Sequence, residues 1–379
     1  YCTEPRRLSA LSLARRVSEE LGEGKNDLGT SRSLVGYAIR LESNTSKETR
    51  LVYATTGIVM RMLEGSNDLR EITHIVLDEV HERTIDSDFL LLVLKKLLVK
   101  RQDLKVVLMS ATVDAEKFSK YMGGAPVLNV PGRTFPVGVQ FLEDAIELTG
   151  YTLDQRRPNE RLTNLDDDPA ESDNDPSSVG DAAKELRQYS AKTRNTLAQF
   201  DEYSIDFDLI AQLIARIAVD PQYMDYSKAI LVFLPGIGEI RTLNDQLLGN
   251  PFFRRDWEIF ALHSTIATED QERAFLVPPP GVRKVVLATN IAETGITIPD
   301  VTCVIDTGKH REMRFDERRQ MSRLIDTFIS RANAKQRRGR AGRVQEGLCF
   351  HMYTKHRHDK LMSDQQTPDF INAAVKRGL

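Results

Sequence analysis

The sequence predicts an α/β fold with parallel sheets, and three observations carry that expectation. Short β-branched runs recur, helical patterns separate them, and polar clusters follow most runs directly. The runs fall at residues 51–54, 72–77, 105–109, 229–234, 284–288 and 301–305. Each is apolar on consecutive positions, the pattern of strands buried on both faces. Helical patterns at 7–21, 56–63, 86–100 and 209–218 lie between them, so right-handed crossovers are expected. The polar clusters are Thr3 to Arg7, Thr55 to Gly57, Asp78 to His81, Ser110 to Thr112, Pro235 with Gly236, and Thr289 with Asn290. Open α/β sheets bind ligands beyond the carboxyl ends of their strands, so these clusters imply one extended functional surface. For the first cluster, any strand is expected to lie before Tyr1.

The chain has 379 residues, which suggests two or three domains. Apolar residues at 41% and charged residues at 28% exclude fibrous and wholly disordered classes. Three widely spaced cysteines, Cys2, Cys303 and Cys349, form neither a disulfide framework nor a zinc cluster, and a reducing compartment is expected. The longest apolar stretch, 89–99, is interrupted by Lys95 and Lys96 and is too short to span a bilayer, so no membrane partner is expected. The sequence begins with Tyr1 and shows no secretory signal, as an internal fragment would.

Net charge is −3, yet the charge is segregated. Residues 165–181 hold seven carboxylates and no Lys or Arg, whereas residues 311–343 hold eleven basic side chains against four acidic ones. The total therefore does not exclude a polyanionic partner. The stretch 143–203, rich in Asp, Asn, Ser, Pro and Gln, is expected to be a solvated insertion or inert linker with helical turns near 182–199, because its composition cannot offset the entropy of ordering.

Two motifs carry chemistry. Asp78 and Glu79 follow an apolar run, where one carboxylate suits Mg²⁺ held through water and the next suits orienting and deprotonating an attacking water. The alternative is that they merely begin the next helix and complement its dipole. In the stretch 336–343, QRRGRAGR, two glycines are interleaved with four arginines. Guanidinium groups match phosphate oxygens with planar, bidentate geometry, which suits arginine fingers; a solvated basic patch is the alternative.

Read in order, CTEPRR, TTG, DEVH, SAT, LVFLPG, ATNIAETGITIPD and QRRGRAGR resemble motifs Ia to VI of the DEAH/RHA group of superfamily 2 RNA helicases. The resemblance covers about residues 1–354, apart from the acidic insertion. It implies two RecA-like parallel-sheet domains in tandem: a partial ATP-binding domain at 1–142, the insertion at 143–203, a helicase C-terminal domain at 204–353, and the start of a winged-helix region at 354–379.

The resemblance also implies ATP and Mg²⁺ as cofactors and assigns roles. Asp78 would hold the magnesium, Glu79 would act as base and His81 would couple both to the second domain. Gln336 would position the water, while Arg340 and Arg343 would contact the γ-phosphate. Arg16 and Phe275 are placed like the pair that sandwiches the base, and Gly295 and Thr297 like the nucleotide-sensing segment. Read as residues alone, Arg16 equally fits a solvated helix face and Phe275 a core aromatic. RNA would meet Arg6, Arg7, Arg40 and Thr55 on the first domain and Gly236, Thr289 and Asn290 on the second, through its backbone and without reading bases. Ser110 and Thr112 would join nucleotide state to strand movement, and residues 306–328 are placed like a wedging β-hairpin. A narrower resemblance, to the member that assists small-subunit scanning in translation initiation, implies the small ribosomal subunit as a partner and the cytoplasm, with the nucleus as alternative.

Three departures qualify the resemblance. No Gly-x-x-x-x-Gly-Lys-Ser/Thr loop occurs in the 379 residues. That loop cradles the β- and γ-phosphates, and its hydroxyl holds Mg²⁺. In the family it lies upstream of motif Ia, where this chain opens, so truncation is the expected reason, and the chain alone is expected to have little or no ATPase activity. Gly295 stands where much of the group has Ser, which puts a side-chain sensor in doubt. The residues after Thr354 are too few for a winged helix. A non-catalytic RNA-binding or scaffold protein descended from helicases is the competing reading.

Overall fold

A computed structural model describes residues 1–65, 69–111, 115–132, 134–153, 186–266, 271, 273–316 and 321–366. The acidic run 165–181, Thr112 and the end of the expected winged-helix region lie outside the described residues.

Two six-stranded sheets organise the chain. The first contains β1 (Cys2–Glu4), β2 (Val35–Ile39), β3 (Glu42–Asn44), β4 (Leu51–Thr55), β5 (His74–Leu77) and β6 (Lys105–Leu108), in the order β3-β2-β4-β1-β5-β6. All its pairs are parallel except β2 with β3. The second contains β7 (Val137–Gln140), β8 (Ala229–Phe233), β9 (Trp257–Leu262), β10 (Arg283–Ala288), β11 (Cys303–Asp306) and β14 (Gly347–His351), wholly parallel in the order β7-β14-β11-β8-β10-β9. Strands β12 (Lys309–Asp316) and β13 (Met321–Phe328) form a separate antiparallel ribbon where the wedging hairpin was expected.

The doubly buried reading holds in the second sheet, where every residue of β8 is buried. Its side chains alternate between two cores: Ile230 and Val232 on one face, Leu231 and Phe233 on the other. The first sheet departs from this at β6, a sheet edge where Lys105 and Val107 are exposed.

Three further differences have physical causes. The first motif has its own strand after all: β1 lies inside the chain, between β4 and β5, and Cys2, Thr3 and Glu4 are all buried. A three-residue strand containing Thr and Glu has no apolar run to reveal it. The crossing between sheets also comes earlier than residue 143, because β7 pairs with β14. Finally, parts of the expected insertion are packed. Helix Leu142–Thr149 inserts Leu142 and Ile146 beside Leu209, and Ser190 caps helix Ala191–Leu197 by accepting from the Thr193 amide.

The lobes touch. Leu8, at the start of helix Arg7–Glu20, is buried among Ile291, Ala292 and Ile296 of the second lobe's core.

Candidate active site between the lobes

The turn after β5 is fixed by its neighbours. The Asp78 amide donates to the Thr3 carbonyl at 3.1 Å, and the Val80 amide to the Met109 carbonyl at 3.1 Å. Glu79 and Arg83 flank the single helical turn Val80–Glu82, and both adopt left-handed backbone, at φ 52° and 51°. For residues with a Cβ this costs about 1–2 kcal/mol each, and such strain persists only where surroundings impose it. Here the Asp78 Oδ1 helps by accepting from the Glu79 amide at 2.7 Å. The acidic pair therefore does not begin the next helix; that helix, Ile85–Lys100, has its own cap in Thr84.

Burial dominates the electrostatics of the turn. It raises Glu79 to about 7, with Asp78 and Glu82 adding to the rise while Arg340 and the Gly295 amide oppose it. A carboxylate near 7 is suited to general-base work at neutral pH. Asp78 is also raised by burial. Glu4, at the end of β1, is fully buried, and burial together with Asp78 and Glu79 pushes it up to about 9. Burial and the neighbouring carboxylates thus keep Glu4 protonated at neutral pH, with Asp78 as the acceptor beside it. Sequence reasoning missed Glu4, although an acidic residue between strand-end Thr3 and Pro5 was a signal.

The second lobe meets this turn through Gly295 and helix Arg331–Gly339. The Gly295 amide donates to Glu79 Oε1 at 3.1 Å. Gly295 has φ 65°, and a Cβ built there would fall 2.1 Å from Ser9 Oγ, so a serine at this position would collide with the first lobe. The missing side chain is thus a condition of the close approach. Gln336 lies 2.7 Å from His81 Nε2, while the Ala111 amide donates to His81 Nδ1 at 3.3 Å. Gln336 meets the ring through its amide nitrogen, and the His81 tautomer sets which of the two nitrogens donates. Ser110, beside Ala111, is exposed at the end of β6.

The arginines of QRRGRAGR divide. Arg337 is completely buried, paired with Glu293 at 2.9 Å and Asp306 at 2.8 Å, and its guanidinium lies over Phe233. Burial alone would raise Asp306, but Arg337 and His351 overrule it and hold that carboxyl at about 2. Arg340 donates to the backbone carbonyls of Ile296, at 2.6 Å, and Glu293, and Arg343 donates to the Thr297 hydroxyl. Burial, then Arg343, lowers Arg340 to about 9, leaving it a cation at neutral pH, and Glu79 acts in the opposite direction on both arginines. Acidic and basic groups from different lobes therefore face each other across one gap.

The base-clamp candidates are not joined. Arg16 is exposed and pairs with Glu20 at 2.6 Å on its own helix. Phe275 is partly buried against the second lobe's core. Lys284 holds its segment by donating to the carbonyls on either side, Ala274 and Leu276, at 3.0 and 2.9 Å.

The nucleic-acid candidates fall on two surfaces. Arg7, Arg40 and Thr55 line one shallow groove of about 400 Å³, together with Arg61, which sequence reasoning missed. Arg6 and Asn290 line a cleft of about 360 Å³ between the lobes, along with His81 and Gln336. Thr289, next to Asn290 in the chain, is buried. Gly236 lies under Arg311 of β12; a Cβ there would meet the guanidinium at 2.1 Å.

Among the described residues, no group of three or more His, Cys, Asp or Glu side chains converges as a metal cage. The donor chemistry fits a hard cation held by few protein ligands: Asp78 is a carboxylate in a buried acidic cluster.

Residues 5–120 match the DEAD/DEAH box helicase family, and residues 209–345 match the helicase conserved C-terminal domain. The chain is 45% identical to the ATP-dependent RNA helicase dhx29 of Xenopus laevis, covering 99% of this chain and 29% of that protein. It is 44% identical to the putative ATP-dependent RNA helicase DHX57 of Homo sapiens, again over 99% of this chain and 29% of that one. The solved Escherichia coli DEAH/RHA helicase HrpB superposes with a TM-score of 0.69 at 31% identity, over 97% of this chain and 38% of that one. The chain thus spans less than a third of the length of dhx29 and DHX57. Sequence motifs, paired parallel sheets and these matches agree: the chain belongs to the DEAH/RHA-box family of ATP-dependent RNA helicases.

Proposed function

We propose that this chain is the two-lobed motor of a protein that hydrolyses ATP to move along and unwind RNA. The observation that carries the reading is Glu79, bonded to Gly295 of the other lobe and facing Arg340 across the gap. Residues 1–142 and 204–353 act as the lobes, with β7 contributed to the second. Bound ATP supplies the phosphoanhydride bond, and Mg²⁺ neutralises its charge. Asp78 would hold the cation. Glu79 takes the proton of the attacking water, and Gln336, bonded to His81, orients that water. Arg340 leaves its backbone carbonyls and Arg343 the Thr297 hydroxyl for the γ-phosphate as Gly295 and Thr297 close beside it, while Arg16 and Phe275 would flank the base after further lobe movement. Ser110 and Thr112 link the site to strand movement. Arg6, Arg7, Arg40, Thr55, Gly236, Thr289 and Asn290 grip the RNA backbone, so binding tolerates sequence and weakens with salt.

The narrower resemblance supports the small ribosomal subunit as partner, translation initiation as setting and the cytoplasm as compartment. ATPase and duplex-unwinding assays test the motor. A longer protein carrying upstream sequence with a phosphate-binding loop is expected to be RNA-stimulated, whereas the 379-residue chain is expected to turn over little or no ATP. RNA-stimulated turnover by the shorter chain would show that it needs no such loop. Absence of turnover in the longer one would favour the scaffold reading.

A further inference from the structure

Glu82 joins three parts of the molecule that the motor must coordinate. It closes the turn that begins at Glu79, accepts from the Thr294 hydroxyl of the second lobe, and pairs with Arg6 of the first at 3.4 Å. Arg6 uses its other terminal nitrogen on Asn290 Oδ1 at 3.1 Å, and its buried Nε has no partner. Both terminal nitrogens of Arg6 are therefore engaged by protein oxygens in the interlobe cleft. The carboxylate on Arg6 is well placed to be exchanged: 3.4 Å is longer than the roughly 2.7–2.9 Å of a tight charge-assisted bond. A phosphodiester offers the same planar fork two negatively charged oxygens.

We infer that Glu82 is a positioning residue that occupies, in the RNA-free state, the place of an RNA phosphate at Arg6. The inference rests on the RNA-motor reading and extends it. When phosphate takes Arg6, Glu82 loses its partner in the first lobe and keeps Thr294 in the second. RNA arrival is thereby felt three residues from Glu79 and at the seam between lobes. Glu82 also competes with RNA, which must displace a contact inside the cleft to reach Arg6.

The test measures binding of a short fluorescein-labelled single-stranded oligouridylate by anisotropy at fixed salt, using the 379-residue chain. Glu82→Gln is expected to tighten binding about two- to fivefold, the scale of a partly exposed ion pair. The gain is expected to vanish in an Arg6→Ala background, which a purely structural effect of residue 82 would not do. Glu82→Asp draws the carboxylate back from Arg6 and is expected to give the same Arg6-dependent gain, should the glutamine variant fold poorly. Binding that neither variant tightens, or a gain that survives Arg6→Ala, would overturn the inference and leave the motor reading intact. Failure of every variant and the parent to bind RNA would overturn both.

Discussion

The two walls of the gap treat charge in opposite ways. In the second lobe, Arg337 is buried but answered by Glu293 and Asp306, and Asp306 in turn meets His351. In the first, Glu4, Asp78 and Glu79 are buried together beside His81, which eases Asp78; further relief comes from a retained proton and from Arg340 opposite. Charges satisfied within a lobe hold it together. Charges left unsatisfied within a lobe are available to a ligand or to the facing lobe.

This contrast can be broken most sharply at Arg337. Arg337→Met removes the cation shared by two buried carboxylates, and such losses cost about 3–5 kcal/mol. Chemical denaturation of the parent and the variant measures it, and a loss below about 1 kcal/mol would show the cluster to be dispensable. On the other wall the prediction concerns rate. In the longer protein, Glu79→Gln is expected to lower ATP turnover by about 10²–10⁴-fold, the range for removing a general base. Folding should be retained, because the amide keeps the side chain's shape.

A third prediction uses pH. Glu4 has its folded value at about 9, well above the ordinary carboxylate value of 4.5. Between those limits the native state binds more protons than the unfolded state, so this group's contribution is complete below about 4.5 and is lost as pH rises towards 9. Glu79, raised to about 7, adds to the loss over the lower part of that window. Glu4→Gln is expected to flatten the fall in melting temperature between neutral and alkaline pH, and equal slopes in parent and variant would refute a protonated Glu4. The smallest effect belongs to the groove. Arg40→Ala is expected to weaken RNA binding a few-fold at all sequences alike and to reduce the salt dependence by about one phosphate contact.

Most of this architecture is legible in the sequence, because its central strands are consecutive apolar runs with chemistry at their ends. Residues 229–233 and 283–288 announce themselves as strands in this way. Strand β1 does not, since its stability comes from pairing with β4 and β5, which no local pattern records. Strand β7 was obscured for the same reason: its partner β14 lies some two hundred residues later. At the site, the resemblance of the motifs pointed to Asp78, Glu79, Gln336, Arg340 and Arg343, which the fold brings to one gap. Glu4, Glu82 and Arg337 stayed hidden because their importance depends on what is buried beside them. Arg337 is a case in point: it is indistinguishable in sequence from its neighbour Arg338, yet one is fully enclosed and the other is half-buried.

Leu8 adds a thermal dimension to the seam. It belongs to the first lobe but lies in the apolar interior of the second, so parting the lobes returns a leucine to water, at about 1.5–3 kcal/mol. That term weakens on cooling, whereas the attraction of Glu79 for Arg340 across the gap weakens with added salt. Cold and brine therefore loosen the same hinge by independent routes.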